Sequence, residues 1–122
     1  MKLYGKELTK RELLQYVGDV SQIADAREGV MTAGKSDGVR TIDVKTGSGL
    51  EFTVLPTRGM DISWASYQGK ALSFVSKAGV GHPAYFEKDG FGFLRNIICG
   101  LLTTCGLTYF GAPCVDNGEE LG

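Results

Sequence analysis

Residues 41–54 read TIDVKTGSGLEFTV, and the period of that stretch decides the fold. Ile42 and Val44 alternate with Asp43 and Lys45; after Gly47-Ser48-Gly49, Leu50, Phe52 and Val54 alternate with Glu51 and Thr53. An apolar residue at every second position lies on one side of a pleated strand, whereas a helix would scatter the same residues around its axis. Small residues between two such runs close a hairpin. A third run follows, with Met60, Ile62 and Trp64 expected on one face and Asp61, Ser63 and Tyr67 on the other, and Gln68-Gly69-Lys70 turns it into Leu72 and Phe74. Short turns between successive strands predict an antiparallel meander, one face on a core and the other free for solvent or ligand.

On the N-terminal side the period is helical. Thr9-Lys10-Arg11-Glu12 is a capping box, Leu13, Leu14 and Val17 form an apolar stripe, and Gly18 is expected to end the helix in the left-handed conformation. On the C-terminal side, residues 77–92 carry glycines at 79, 81, 90 and 92 with His82-Pro83 among them, which predicts a long irregular loop. Residues 93–102 and 107–110 read as strands buried on both faces. The chain is expected to be one domain over 1–122, with a helical arm at 1–19 and a β-sheet region at 20–122. The fold class is all-β, mainly antiparallel.

Of 122 residues, 43% are hydrophobic and 22% charged, as in an ordinary globular protein. A formal charge of −1 gives no electrostatic basis for binding nucleic acid or an anionic membrane. The start of the chain has three charges in its first seven residues and no apolar run, unlike a secretory leader. The longest apolar segment, 97–102, is far below the ~20 residues of a membrane helix. A cytoplasmic location is expected, and three cysteines, Cys99, Cys105 and Cys114, cannot all pair within one chain. Their apolar surroundings and spacing predict small buried side chains rather than a zinc site, and no metal or cofactor is expected.

Among polar residues, Arg58 and Asp61 in PTRGMDI (56–62) combine a planar fork of donors with a pair of acceptors, a set suited to vicinal hydroxyls of a sugar. A turn closed by a local ion pair accounts for the same two residues. Asp116, Glu119 and Glu120 are either hydroxyl-binding carboxylates or a solvated loop. His82 is the only histidine and reads as an ordinary exposed one. Trp64, Tyr67, Tyr85, Tyr109 and Phe110 supply aromatic surface, more simply core than ligand platform.

Taken together, PTRGMDI, YQGKALSFVSKAGVGHP (67–83) and GFLRNIICGLLTTCGLTYFGAPCVDNGEELG (92–122) resemble the first part of the aldose 1-epimerase-like family of the galactose mutarotase-like superfamily. The likeness covers residues 38–122. It implies a partial β-sandwich whose concave face binds a small-molecule sugar, lined by Arg58, Asp61, Arg95, Thr104, Asp116 and Glu119. In that family a carboxylate base acts at the anomeric centre and a histidine acid at the ring oxygen. The resemblance implies that both, and a sugar-binding histidine supplied by a Leu-His-Gly segment, follow Gly122, so that this chain is an N-terminal portion of an isomerase, inactive alone. The alternative is a non-catalytic carbohydrate-binding or assembly module. Half a sandwich would also leave strand edges exposed, from which self-association is expected.

Overall fold

The computed structural model describes residues 2–3, 5–104 and 114–121. In chain order the strands are β1 (Lys2–Leu3), β2 (Lys6–Glu7), β3 (Asp25–Val30), β4 (Arg40–Lys45), β5 (Leu50–Leu55), β6 (Asp61–Tyr67), β7 (Lys70–Ala71), β8 (Phe74–Val75), β9 (Cys99–Gly100), β10 (Cys114–Asp116) and β11 (Glu119–Leu121). One α-helix, α1 (Lys10–Leu13), follows β2. The fold is all-β, and every strand pairing among the described residues is antiparallel. Among those residues no helix is long and apolar enough to cross a membrane.

The centre is a five-stranded meander in the order β3-β4-β5-β6-β7. The hairpin anticipated from the two-residue period is there, with Ile42 opposite Val54 and Val44 opposite Phe52. Residues directly opposite in a ladder share a face, so these four form one apolar row. The other face carries a ladder of charges: Asp25 lies opposite Lys45, Arg27 opposite Asp43, and Lys45 opposite Glu51.

β6 departs from its expected alternation. Val54 and Phe52 are two residues apart on β5, yet their partners Ile62 and Ala65 are three apart on β6. The extra residue makes a bulge at Ser63-Trp64 facing Thr53, and an extra residue reverses the in–out pattern beyond it. Ile62 and Ala65 therefore share the face of Val54 and Phe52, and Trp64 lies on the other; Asp61, Ser63 and Ala65 are buried, Trp64 is 40% exposed, and Met60 precedes the strand with φ +71. The expectation that Met60, Ile62 and Trp64 share one face is corrected. No glycine or other local signal marks the bulge; the Ser63 hydroxyl donates to the Thr53 carbonyl at 3.2 Å across it.

Two other expectations are revised. The capping box forms, Thr9 N donating to Glu12 Oε2 at 2.8 Å and Glu12 N to Thr9 Oγ1 at 3.3 Å, but α1 lasts only four residues. Gly18 does not take the left-handed conformation. Its N–H donates instead to Gln22 Oε1 at 2.7 Å, because Asp19 at once caps a new 3₁₀ turn over Val20–Gln22. Farther on, Gly92–Asn96 is a 3₁₀ turn with Phe93 exposed, so strand structure in 93–102 is confined to β9 and a bridge at Leu102. The strand expected at 107–110 lies outside the described residues.

β7 covers only the end of β6, at Ser66 and Tyr67. The start of β6 is met by the segment after β9: Ile62 N donates to Leu102 O at 2.9 Å and Leu101 N to Ile62 O at 2.8 Å. The core of Val39, Leu55, Val80 and Ile98, with Met31 and Val75 packed against it, unites the end of β5 with both arms of the long loop.

Candidate functional site

At the end of β5 the chain enters a 3₁₀ turn over Pro56–Arg58, where proline pre-sets the backbone of the first helical position. Gly59 then adopts φ +67, and β6 begins at Asp61. This tight reversal brings Arg58 and Asp61, three residues apart, to one side of the turn. Both are withdrawn from solvent, their side chains 13% and 6% exposed, so they do not form a surface pair.

Each atom of the pair has an identifiable environment. Arg58 Nη1 donates to the Gly81 carbonyl at 2.6 Å and Nη2 to the Asn96 carbonyl at 2.9 Å. Its third nitrogen, Nε, is buried with no hydrogen-bond partner and lies 3.7 Å from Asp61 Oδ2, too far for a direct bond. Asp61 Oδ1 accepts from the Thr104 amide at 2.8 Å. The Thr104 hydroxyl is 2.9 Å from Asp61 Oδ1 and 2.7 Å from the Gly59 carbonyl, and its single proton serves one acceptor at a time.

These residues line a hollow of about 550 Å³ together with Thr57, Gly59, Pro83, Phe86, Phe93, Asn96, Ile97 and Thr103. The wall is mostly apolar, with a donor, Arg58 Nε, and an acceptor, Asp61 Oδ2, left over. A few convergent polar groups in an apolar hollow are the usual composition of a small-molecule site. Residues 36–122 match the family described as Domain of unknown function (DUF4432). The chain belongs to that family. No curated protein matches it, and no solved structure does. The hollow thus lies wholly within the part of the chain shared with the DUF4432 family.

Of the six residues singled out in the sequence, the fold brings together Arg58, Asp61 and Thr104. Arg95 does not line the hollow and forms an exposed ion pair with Glu87. Asp116 and Glu119 face each other across the β10–β11 hairpin, both exposed, and are not among the hollow's described lining residues. His82 is half-buried, and its Nδ1 accepts from the Ala84 amide at 3.1 Å. Cys99 is partly buried and Cys114 exposed, so the expectation of buried cysteines is corrected for Cys114; Cys105, Tyr109 and Phe110 lie outside the described residues. Phe86, Phe93 and Asn96 were not singled out. Two sit in a loop without periodicity, and Asn96 acts through its backbone carbonyl, a group every residue type shares.

A second hollow, of about 600 Å³, lies over the charged face of the sheet around Trp64. Its polar groups largely answer one another. Arg27 Nε donates to Asp25 Oδ2 at 2.6 Å, Thr53 Oγ1 to Asp43 Oδ1 at 2.6 Å, and Lys45 Nζ to the Gln22 carbonyl at 3.1 Å. A cross-strand charge ladder of this kind suits contact with water.

Proposed function

We propose that the Arg58–Asp61 hollow binds a sugar, forming one wall of the cleft in an aldose 1-epimerase-like protein. The observation that carries this reading is the buried Nε of Arg58 and the facing Oδ2 of Asp61, 3.7 Å apart. A hydroxyl oxygen that moves in to about 2.8 Å from each, displacing the groups that cover Nε, accepts from Nε and donates to Oδ2, completing both at once. An ammonium ion can only donate and a fully ionised phosphate can only accept, so neither completes the pair as a hydroxyl does. Phe86 and Phe93 supply apolar surface for the C–H face of a pyranose.

The arrangement supports binding, and its described residues supply no paired acid and base. Chain 1–122 is therefore expected to hold a sugar without interconverting its anomers. Saturation-transfer NMR with D-galactose and D-glucose is expected to show contact with the wild-type chain and its loss in Asp61→Asn, whose amide cannot both accept and stay charge-matched to Arg58. Absence of transfer from every aldose in a small panel would rule the reading out. Polarimetry of either anomer with the chain is expected to follow the buffer rate, and turnover above it would overturn the division between binding and catalysis.

A further inference from the structure

Between Gly81 and Asn96 the chain leaves the core and returns to it, and one side chain holds both ends. Arg58 Nη1 takes the Gly81 carbonyl and Nη2 the Asn96 carbonyl. Asn96 Nδ2 adds a strap to the His82 carbonyl at 3.2 Å, and His82 N donates to the Lys35 carbonyl at 2.7 Å. Beyond this base the segment is bonded chiefly to itself. Tyr85 N reaches His82 O, Phe86 N reaches Pro83 O, Gly92 N reaches Asp89 O, and Arg95 pairs with Glu87. A loop whose ends meet and whose interior is self-contained is an Ω-loop, a form that recurs at binding sites. Pro83, Phe86 and Phe93 of this loop belong to the lining of the hollow.

The geometry points to Arg58 as a positioning residue: its two Nη groups clasp the base of the loop and so set where the aromatic wall stands relative to Asp61. This inference rests on the reading that the hollow takes a ligand, and it assigns Arg58 a role different from a sugar-grasping fork. The fork is occupied by backbone carbonyls, which leaves Nε as the one guanidinium nitrogen without a hydrogen bond. A planar guanidinium offers donors in fixed, diverging directions, so each Nη meets its own carbonyl, whereas a lysine ammonium would have to serve both from one atom without that fixed geometry.

Hydrogen exchange read by mass spectrometry tests the clasp without any ligand. In Arg58→Ala, amides of residues 84–95 are expected to exchange at least tenfold faster while those of β4 and β5 keep wild-type rates, and millimolar ethylguanidinium is expected to restore the loop. Arg58→Lys is expected to leave the loop loosened. Unchanged loop exchange in Arg58→Ala, equal loosening of loop and sheet, or a lysine variant indistinguishable from wild type would each overturn the proposal. Saturation transfer from D-galactose provides the second arm. Where the wild type shows it, Arg58→Ala should lose it and ethylguanidinium should return it, and full binding with a freed loop refutes the clasp. Where the wild type shows none, the sugar reading fails and the exchange arm alone decides the clasp.

Discussion

Asp61 is 5% exposed, and its two oxygens answer to different parts of the chain: Oδ1 to Thr104, Oδ2 to the Arg58 guanidinium. Removing one member of a buried pair strands the other without water, at a cost of about 3–5 kcal/mol. Asp61→Ala is expected to lose stability in that range in urea titrations, and a loss of only a few tenths would show that the pair is dispensable. Thr104→Val keeps the amide bond to Asp61 and removes only the hydroxyl, so a smaller loss of about 1 kcal/mol is expected in the same measurement. At the N-terminal arm the carboxyls of Glu12 and Asp19 are held below their ordinary values, Glu12 by hydrogen bonds from the Thr9 backbone and side chain, Asp19 by those from the Ser21 side chain and backbone. A depressed pKa means the folded turn favours the charged form. Its contribution is complete above the ordinary carboxylate values of 4.5 and 3.8 and fades as pH falls through the lower folded values. Protection factors of amides in residues 9–22, taken against intrinsic rates at each pH, are expected to fall over that acid range while those of the five-stranded sheet hold. Protection independent of pH would contradict the cap's role.

Backbones approach closely where β9 and the segment after it join β6. Gly100 has φ +78, and a Cβ placed on it would sit 2.3 Å from the Ile62 carbonyl oxygen, an atom that accepts from Leu101. Gly69, in the β6–β7 turn, has a similar φ of +77 with open space around it. Left-handed strain alone costs about 1–3 kcal/mol. Gly69→Ala is expected to show that strain and no more, whereas Gly100→Ala also separates two paired segments and should lower the urea midpoint further. Equal midpoints would mean that the Leu101–Leu102 segment contributes nothing. At this scale the β4–β5 hairpin was legible because alternation and turn chemistry are local. The bulge in β6 was not, since Ser63-Trp64 has no composition that demands it. It arises because Asp61 must stay level with Leu55 while Ala65 stays level with Phe52, a constraint imposed by the neighbouring strand.

On the scale of the whole molecule, the core is small and the exposed apolar surface large. Phe74, Phe91 and Val115 are 70%, 80% and 68% exposed, and the outer edge of β3 has no strand beside it among the described residues. Exposed apolar surface and an open strand edge both favour association. Light scattering is expected to give an average mass that rises above that of the monomer with concentration. A constant monomer mass at high concentration would show that the charges of β3, whose sequence is Asp-Ala-Arg-Glu-Gly-Val, suffice to protect its edge.

Arg58, Asp61 and the all-β meander were open to reading in the chain itself, because turn residues, paired charges and two-residue periods act between near neighbours. The partners of Arg58 were not: Gly81 and Asn96 are 23 and 38 residues away and take part through backbone carbonyls. Thr104, 43 residues from Asp61, contributes its amide as well as its hydroxyl. Local order follows from side-chain type and spacing. Which distant carbonyl meets a buried guanidinium is decided only when the loop has closed, since in the folded core an unpaired donor is costly and the nearest available acceptor is chosen by geometry.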